Sequence, residues 1–353
     1  MQPAMSIKYV VEEADLEERR ADFVSLWVAH LSGGQRTAGD AEAKLDAGYL
    51  HNPAGPGHGF LMRAQGGAAA AGAIGLHPRR FRAGAESIRA ANLADYVVDP
   101  AHRTLGPALL LMKHGVAAAR QHFDLVYALP NRSSQAVCLR AGLKRLGHLQ
   151  RHARPLSTRR HLQSRLGALA GVLAPLADGA LRLADAARAL RLRGGLRWND
   201  TDFNAPALQR VWDQQAAPFL MSERSPAMLR WRYASASRGA WRVSVALGAE
   251  GEPVGYVVWR LHHGAADVGD FLSVDAERWT APLMDGFARH VRRHGADAVS
   301  LMFFGAPAVE SGLHAAGYHL RDGGVPLFIA TPCVDGGEER RRWYLTAFDD
   351  DAD

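Results

Sequence analysis

The chain has 353 residues, 48% hydrophobic and 22% charged, which is long enough for two hydrophobic cores and excludes wholesale disorder. Its two cysteines, Cys138 and Cys333, exclude a disulfide framework and a cysteine-built zinc site and suit a reducing compartment. The net charge of +6 is concentrated in one stretch, because residues 151–197 hold ten Arg, no Lys and two Asp. That stretch is rich in leucine rather than interleaved with aromatics, so a nucleic-acid interface is not expected.

The N-terminus carries Glu12, Glu13, Asp15, Glu17 and Glu18 and no apolar core of the kind a secretion signal needs, so the expected location is the cytoplasm. Residues 6–13 alternate as a strand. Residues 17–31 place Phe23, Leu26, Trp27, His30 and Leu31 on one helical stripe. A second helix over 41–50 stops at His51-Asn52-Pro53, and three strands follow at 58–64, 70–76 and 88–98. Then come a helix at 109–123, a strand at 125–129, a helix at 133–141 stopped by Gly142, and a strand at 143–155.

The basic stretch with Leu162, Leu166, Leu169, Leu173, Leu176, Leu181 and Leu190 predicts an amphipathic helix pair broken near Pro175. It reads as a linker with a solvated Arg face, or as a docking surface for an acidic carrier protein or an anionic membrane. Residues 166–184 approach spanning length, but Asp178 and Arg182 within them argue against a transmembrane segment. Beyond it the element order recurs. Helices are expected at 205–217 and 226–234, strands at 241–247, 254–261 and 266–274, a helix at 281–294, a strand at 298–304, a helix at 308–316 and a strand at 318–330.

A shift of 175 residues pairs Asp95 with Asp270, Arg103 with Arg278, Pro107 with Pro282 and Gly142 with Gly317. Only seven of the 48 positions aligned in this way are identical, so the case for an internal duplication rests on the shared order of elements. The expected layout is a first domain at 1–156, a helical basic linker at 157–197, a related second domain at 198–335 and a charged tail at 336–353.

The segment from Asp95 to Gly142 carries the chemistry. An apolar strand ends in Val98-Asp99-Pro100, and a turn with Arg103 and Gly106 opens a helix whose free amides and dipole suit a pyrophosphate. The strand end, the Arg103-x-x-Gly106-x-Ala108 spacing, Asn131 after the next strand and the Gly142-Leu143 helix stop together resemble the GCN5-related N-acetyltransferases (GNAT). The Pro130-Asn131-x-x-Ser134 pattern and Leu229-Arg230-Trp231-Arg232-Tyr233 are similar to a bacterial subgroup with two such domains in tandem.

That resemblance implies an α+β fold with a mixed sheet in each of two GNAT-like domains, and a coenzyme A thioester as co-substrate without a metal. It implies acyl transfer to the amine of a small metabolite or sugar. Cofactor contacts would come from Val98, Arg103, Thr104, Leu105, Gly106, Pro107, Ala108, Asn131 and Ser134. Pro107 removes one amide donor but suits the first turn of a helix. The Val98 amide would polarise the thioester carbonyl. Asp95 is the nearest carboxylate for a general base or, equally, a structural strand-end acceptor; His77, His51 and His58 are other candidates for the base. Where relatives carry a Tyr that protonates the leaving thiolate, this chain has Cys138, either a thiol donor or a small buried apolar residue.

The second half departs from the pattern at Arg278-Trp279-Thr280-Ala281-Pro282, where Ala281 replaces the glycine, so that half reads as degenerate. Its tryptophans suit a core or an aromatic acceptor pocket. His148/His152 and His290/His294 have the spacing of helical metal pairs, but neither belongs to a recognisable motif and the metal reading drops out. Two alternatives stay open: acyl transfer from an acyl carrier protein docked on the basic stretch, and a non-catalytic tandem module that binds acyl-coenzyme A.

Overall fold

A computed structural model describes residues 8–31, 36–158, 170–192, 195–215, 217, 219–234, 240–330 and 342–351. The elements in order are β1 (Tyr9–Ala14), α1 (Arg20–His30), α2 (Ala38–Leu45) with a π-helical turn at Asp46–Leu50, β2 (His58–Ala64), β3 (Ala70–Ala83) and β4 (Glu86–Val98). Next are α3 (Leu105–His122), β5 (Leu125–Ala128), α4 (Gln135–Arg140), β6 (Lys144–Pro155) and α5 (Ala170–Leu192). The second half follows with β7 (Arg197–Thr201), α6 (Pro206–Gln214), β8 (Leu220–Ser222), α7 (Pro226–Tyr233), β9 (Arg242–Leu247), β10 (Pro253–His262) and β11 (Ala265–Ser273). It ends with α8 (Ala276–Arg293), β12 (Ala298–Gly305), α9 (Pro307–Ala315), β13 (His319–Ile329) and β14 (Tyr344–Thr346).

Of the described residues, one compact unit comprises 8–148, 325–330 and 350–351, and the other comprises 149–324 and 342–349. In the first unit β1 to β4 pair antiparallel in sequence order, β5 runs parallel to β4, and the end of β13 pairs antiparallel with β5 through Phe328 and Ala128. Alternation along β2 explains why the sheet has two cores. Phe60 and Met62 join Ile74, Leu93, Leu111 and Val116 on the α3 side. Leu61 between them packs with Phe23, Trp27, Leu45 and Tyr49 on the α1 and α2 side. Helix α2 starts at a capping box, with the Thr37 hydroxyl accepting from the Asp40 amide and the Asp40 carboxylate accepting from the Thr37 amide.

In the second unit β7, β9, β10 and β11 pair antiparallel in that order, β12 runs parallel to β11, and the end of β6 pairs antiparallel with β12. The closing strands are therefore exchanged: each unit takes its last strand from the other half of the chain. The expected boundaries at residues 156 and 198 assign β6 to the first domain and β13 to the second. The pairing corrects both, because a strand's alternation fixes its buried face but not its partner.

Helix α5 runs without a break through Pro175, against the expected break there. Its Asp185 joins Arg154, Arg188 and Arg292, which places the helix within the second unit. Leu162, Leu166, Leu169 and Cys333, named from sequence, lie outside the described residues. Part of the expected charged tail is instead structural, since β14 pairs with β12 and Tyr344, Leu345, Phe348 and Asp349 are buried.

Candidate functional site

The site starts from a fault in the β3–β4 ladder. Ala73 faces Val97 and Gly75 faces Ala94, so Asp95 and Tyr96 together oppose Ile74 in a bulge. Asp95 takes φ 51° there, a left-handed conformation that aspartate tolerates better than most residues. Among the described residues, β4 pairs with β5 only through Ala90–Asn92 against Leu125–Tyr127. Beyond that the strands part, and a cavity of about 450 Å³ opens between them. Leu93, Met112, Ala128 and Cys138 supply apolar walls, Asn131 and Ser134 stand on one side, and Lys44, Asp95, Asp350 and Asp351 on the other.

The Asp95 carboxylate is held from three directions. Tyr49 Oη donates to Oδ2 at 2.8 Å, His77 Nε2 lies 2.9 Å from the same oxygen, and Lys44 Nζ is 3.1 Å from Oδ1. Burial alone would raise this carboxyl, but the Lys44 charge and the bonds from His77 and Tyr49 outweigh it and hold it well below the usual carboxylate range. Burial also lowers His77 despite its acidic neighbour. The network is packed tightly: a Cβ on Gly75 would fall 1.7 Å from Tyr49 Oη, and one on Gly48 would fall 2.9 Å from the His77 ring. Lys44 Nζ also donates to the Asp351 carbonyl oxygen at 3.1 Å.

At the far end of β4 the Arg103 side chain folds back, its Nε and Nη2 donating to the Val98 carbonyl oxygen at 3.2 and 2.9 Å. Thr104, at the start of α3, makes no side-chain cap. The Thr104 amide donates to His102 O and the Ala108 amide to Thr104 O, and Pro107 has none, so Leu105 and Gly106 supply the unpaired amides of this turn. Nothing lies within 4 Å of a Cβ placed on Gly106, so the helix start is open.

Asn131 Oδ1 accepts from the Ser134 amide and from the hydroxyls of Ser133 and Ser134, which nucleates α4 and leaves the Asn131 NH2 for the cavity. Cys138 is buried, and burial pushes its thiol up to about 12. Of the residues expected from sequence, the structure brings Asp95, Asn131, Ser134 and Cys138 to the cavity. Val98 and residues 103–108 lie outside its lining, at the strand end and helix start beyond it. Of the other candidates for the base, His58 pairs with Glu13 and His51 is exposed. The sequence reading missed Lys44, Tyr49, Tyr96 and the Asp350-Asp351 pair. Tyr96 donates its hydroxyl to the Ala108 carbonyl oxygen at 2.9 Å, and burial raises its pKa.

The corresponding turn in the second half is built differently. Asp275 caps α8, its Oδ1 accepting from the Arg278 amide at 3.0 Å, and the Arg278 guanidinium lies over the Trp279 ring. A carboxylate therefore sits where α3 presents free amides. Asp270, the counterpart of Asp95, is buried with Arg224, Tyr256 and Thr346, and burial raises its pKa.

The first unit is thus a mixed sheet whose parallel strands part beside an open helix start. Residues 23–143 match the family model described as Acetyltransferase (GNAT) family, and the first half of the chain contains a GNAT domain. Solved structures share the fold over most of the chain. A conserved Enterococcus faecalis V583 protein, a probable N-acyltransferase, aligns with TM-score 0.63 and 12% identity, covering 91% of this chain and 72% of that one. A GCN5-related N-acetyltransferase from Anabaena variabilis ATCC 29413 aligns with TM-score 0.62 and 14% identity over 91% and 72% of the two chains. One from Kribbella flavida gives 0.61 and 14% over 91% and 71%. No curated protein matches the chain by sequence. Among the described residues no helix is long and apolar enough to cross a membrane.

Proposed function

We propose that the chain is a tandem GNAT-type N-acyltransferase whose first half transfers an acyl group from coenzyme A to a small amine. The observation that carries this reading is the cavity where β4 leaves β5, beside a helix start that keeps its amides free. Acyl-coenzyme A supplies an activated thioester. The Leu105 and Gly106 amides with the α3 dipole hold its pyrophosphate, and the Asn131 NH2 takes a carbonyl oxygen of its pantetheine arm. Leu93, Met112, Ala128 and Cys138 keep water from the reacting centre.

On the acceptor side Asp95, Asp350 and Asp351 outnumber Arg36 and Lys44 in the lining, an acidic balance that attracts a protonated amine, whose proton then leaves through water. Asp95 holds the bulge in place; a carboxyl so strongly stabilised as the anion is a poor proton acceptor. Cys138 stays protonated. Giving its proton to a departing thiolate would be uphill, because burial holds the Cys138 thiol well above its usual value. The second half, with Asp275 at its helix start, supports its partner strand rather than a second coenzyme A.

Two arginines of the basic stretch are taken up internally, since Arg154 is buried against Asp185 and Asp285 and Arg188 pairs with Asp185, so neither favours a carrier-protein donor. The test is release of free coenzyme A thiol from acetyl-coenzyme A with a panel of small amines. Turnover with at least one amine, reduced when Asp350 and Asp351 are both changed to Asn, supports the reading. Release that no amine accelerates refutes it.

A further inference from the structure

Helix α8 carries His290 and His294 one turn apart, and both rings reach the same carboxylate on the edge strand β7. His290 Nε2 lies 2.9 Å from Asp200 Oδ1, and His294 Nε2 lies 3.5 Å from Asp200 Oδ2. All three ligand atoms fall within 4.8 Å of one another. Neighbouring ligands of a tetrahedral zinc ion, with bonds near 2.0–2.1 Å, stand about 3.3 Å apart; each histidine is near that distance from one of the two Asp200 oxygens, and a small ring rotation closes the rest of the triangle around an ion. We propose that Asp200, His290 and His294 form a binding site for a divalent transition metal, suited to Zn2+, that pins β7 to α8.

The surroundings are those of a supported site rather than a chance surface cluster. Ser244 on β9 donates its hydroxyl to Asp200 Oδ1 at 2.6 Å and accepts from Trp259 Nε1 at 2.8 Å, so the carboxylate is oriented by a buried relay. The Trp198 ring stacks on His290 at 5.4 Å with 21° between planes, which fixes the imidazole. Two imidazoles and a carboxylate are a borderline donor set that favours Zn2+, Co2+, Ni2+ or Cu2+ over Mg2+ or Ca2+. Asp200 and His294 are 42% and 33% exposed, which gives an ion a path in and leaves room for water at a further position. The histidine spacing was visible in sequence without a motif, because the third ligand comes from a strand 90 residues away.

The test uses the full, tag-free chain stripped with a chelator and titrated with Zn2+ against a chromogenic indicator, and then with Co2+ followed by its visible d–d absorption. One ion per chain is expected in the wild type, with Co2+ bands of a nitrogen and oxygen site. Affinity should fall more than about tenfold in His290→Ala, His294→Gln and Asp200→Asn, and about tenfold in Ser244→Ala. Zn2+ should raise the Tm of the wild type and leave that of His294→Gln unchanged; His294→Gln keeps the side chain's bulk, so its metal-free Tm should match the wild type. No uptake by the wild type, or equal uptake by the wild type and the three ligand variants, overturns the proposal. Both results are independent of acyl transfer by the first half.

Discussion

Replacing Asp95 by Asn separates a structural role from a catalytic one. In the folded protein this carboxylate is 2% exposed and faces Lys44, itself 5% exposed, with Tyr49 and His77 on its other oxygen. The amide keeps the shape but removes the charge, leaving the Lys44 ammonium buried without its anion. Breaking a buried pair in this way costs about 3–5 kcal/mol. At about 2–4 °C per kcal/mol for a unit of this size, the Tm should fall by about 6–20 °C. The pH dependence has a definite sign. Because the folded carboxyl is depressed, its contribution is complete above the unfolded value near 3.9 and is lost as pH falls through the lower folded value. Thermal and urea melts from pH 7 to pH 2 should therefore show a gap between wild type and Asp95→Asn that is constant above about pH 5 and closes on acidification. At a temperature where both are folded, the variant should keep most of its kcat. A variant as stable as the wild type but inactive, or a gap that widens on acidification, would refute the assignment and restore Asp95 as the base.

Gly75→Ala should destabilise the chain by about 1–3 kcal/mol in urea melts, since its Cβ would meet Tyr49 Oη at 1.7 Å. Cys138→Ala should change kcat less than about threefold in the thiol-release assay, because the buried thiol does not give up its proton in the reaction. Asp275→Ala should cost about 1 kcal/mol of stability through loss of the α8 cap, without changing the amount of acetyl-coenzyme A bound per chain in equilibrium dialysis.

Much of the element order was legible because the apolar stripes of α1, α3 and α8 and the short apolar runs of β2 and β9 are strong local signals. β7 was missed: Arg197-Trp198-Asn199-Asp200-Thr201 has no clean alternation, as befits an edge strand with little burial. β8 is three residues long and β14 is flanked by charges, so both fall below what periodicity detects. Helix α8 begins five residues earlier than expected because Asp275 caps it, a signal that the apolar pattern alone overlooks. The exchange of β6 and β13 could not be read locally, since nothing in a strand's own sequence names the neighbour across the ladder.

At the site, the open helix start and Asn131 were legible because their chemistry follows from a turn and the residues beside it. The anchoring of Asp95 was not, because Lys44, Tyr49 and His77 are 51, 46 and 18 residues away along the chain and meet it only through a bulge. Asp350 and Asp351 reach the cavity from the far end of the chain, where a charge run reads as a solvated tail. The second half shows how one position can keep its residue and lose its setting. Asp270 retains a buried acid and a tyrosine partner, yet its helix start is closed by Asp275.

Calorimetric titration of acetyl-coenzyme A into the wild type and into Gly106→Trp decides whether the α3 start holds the cofactor. Gly106 has no neighbour within 4 Å of a new side chain, so the substitution should leave Tm unchanged while filling the space before the α3 amides. One site per chain is expected in the wild type, and at least about a hundredfold weaker binding, equivalent to about 2.7 kcal/mol, in Gly106→Trp. No binding by the wild type, or equal binding by both proteins, would contradict that placement.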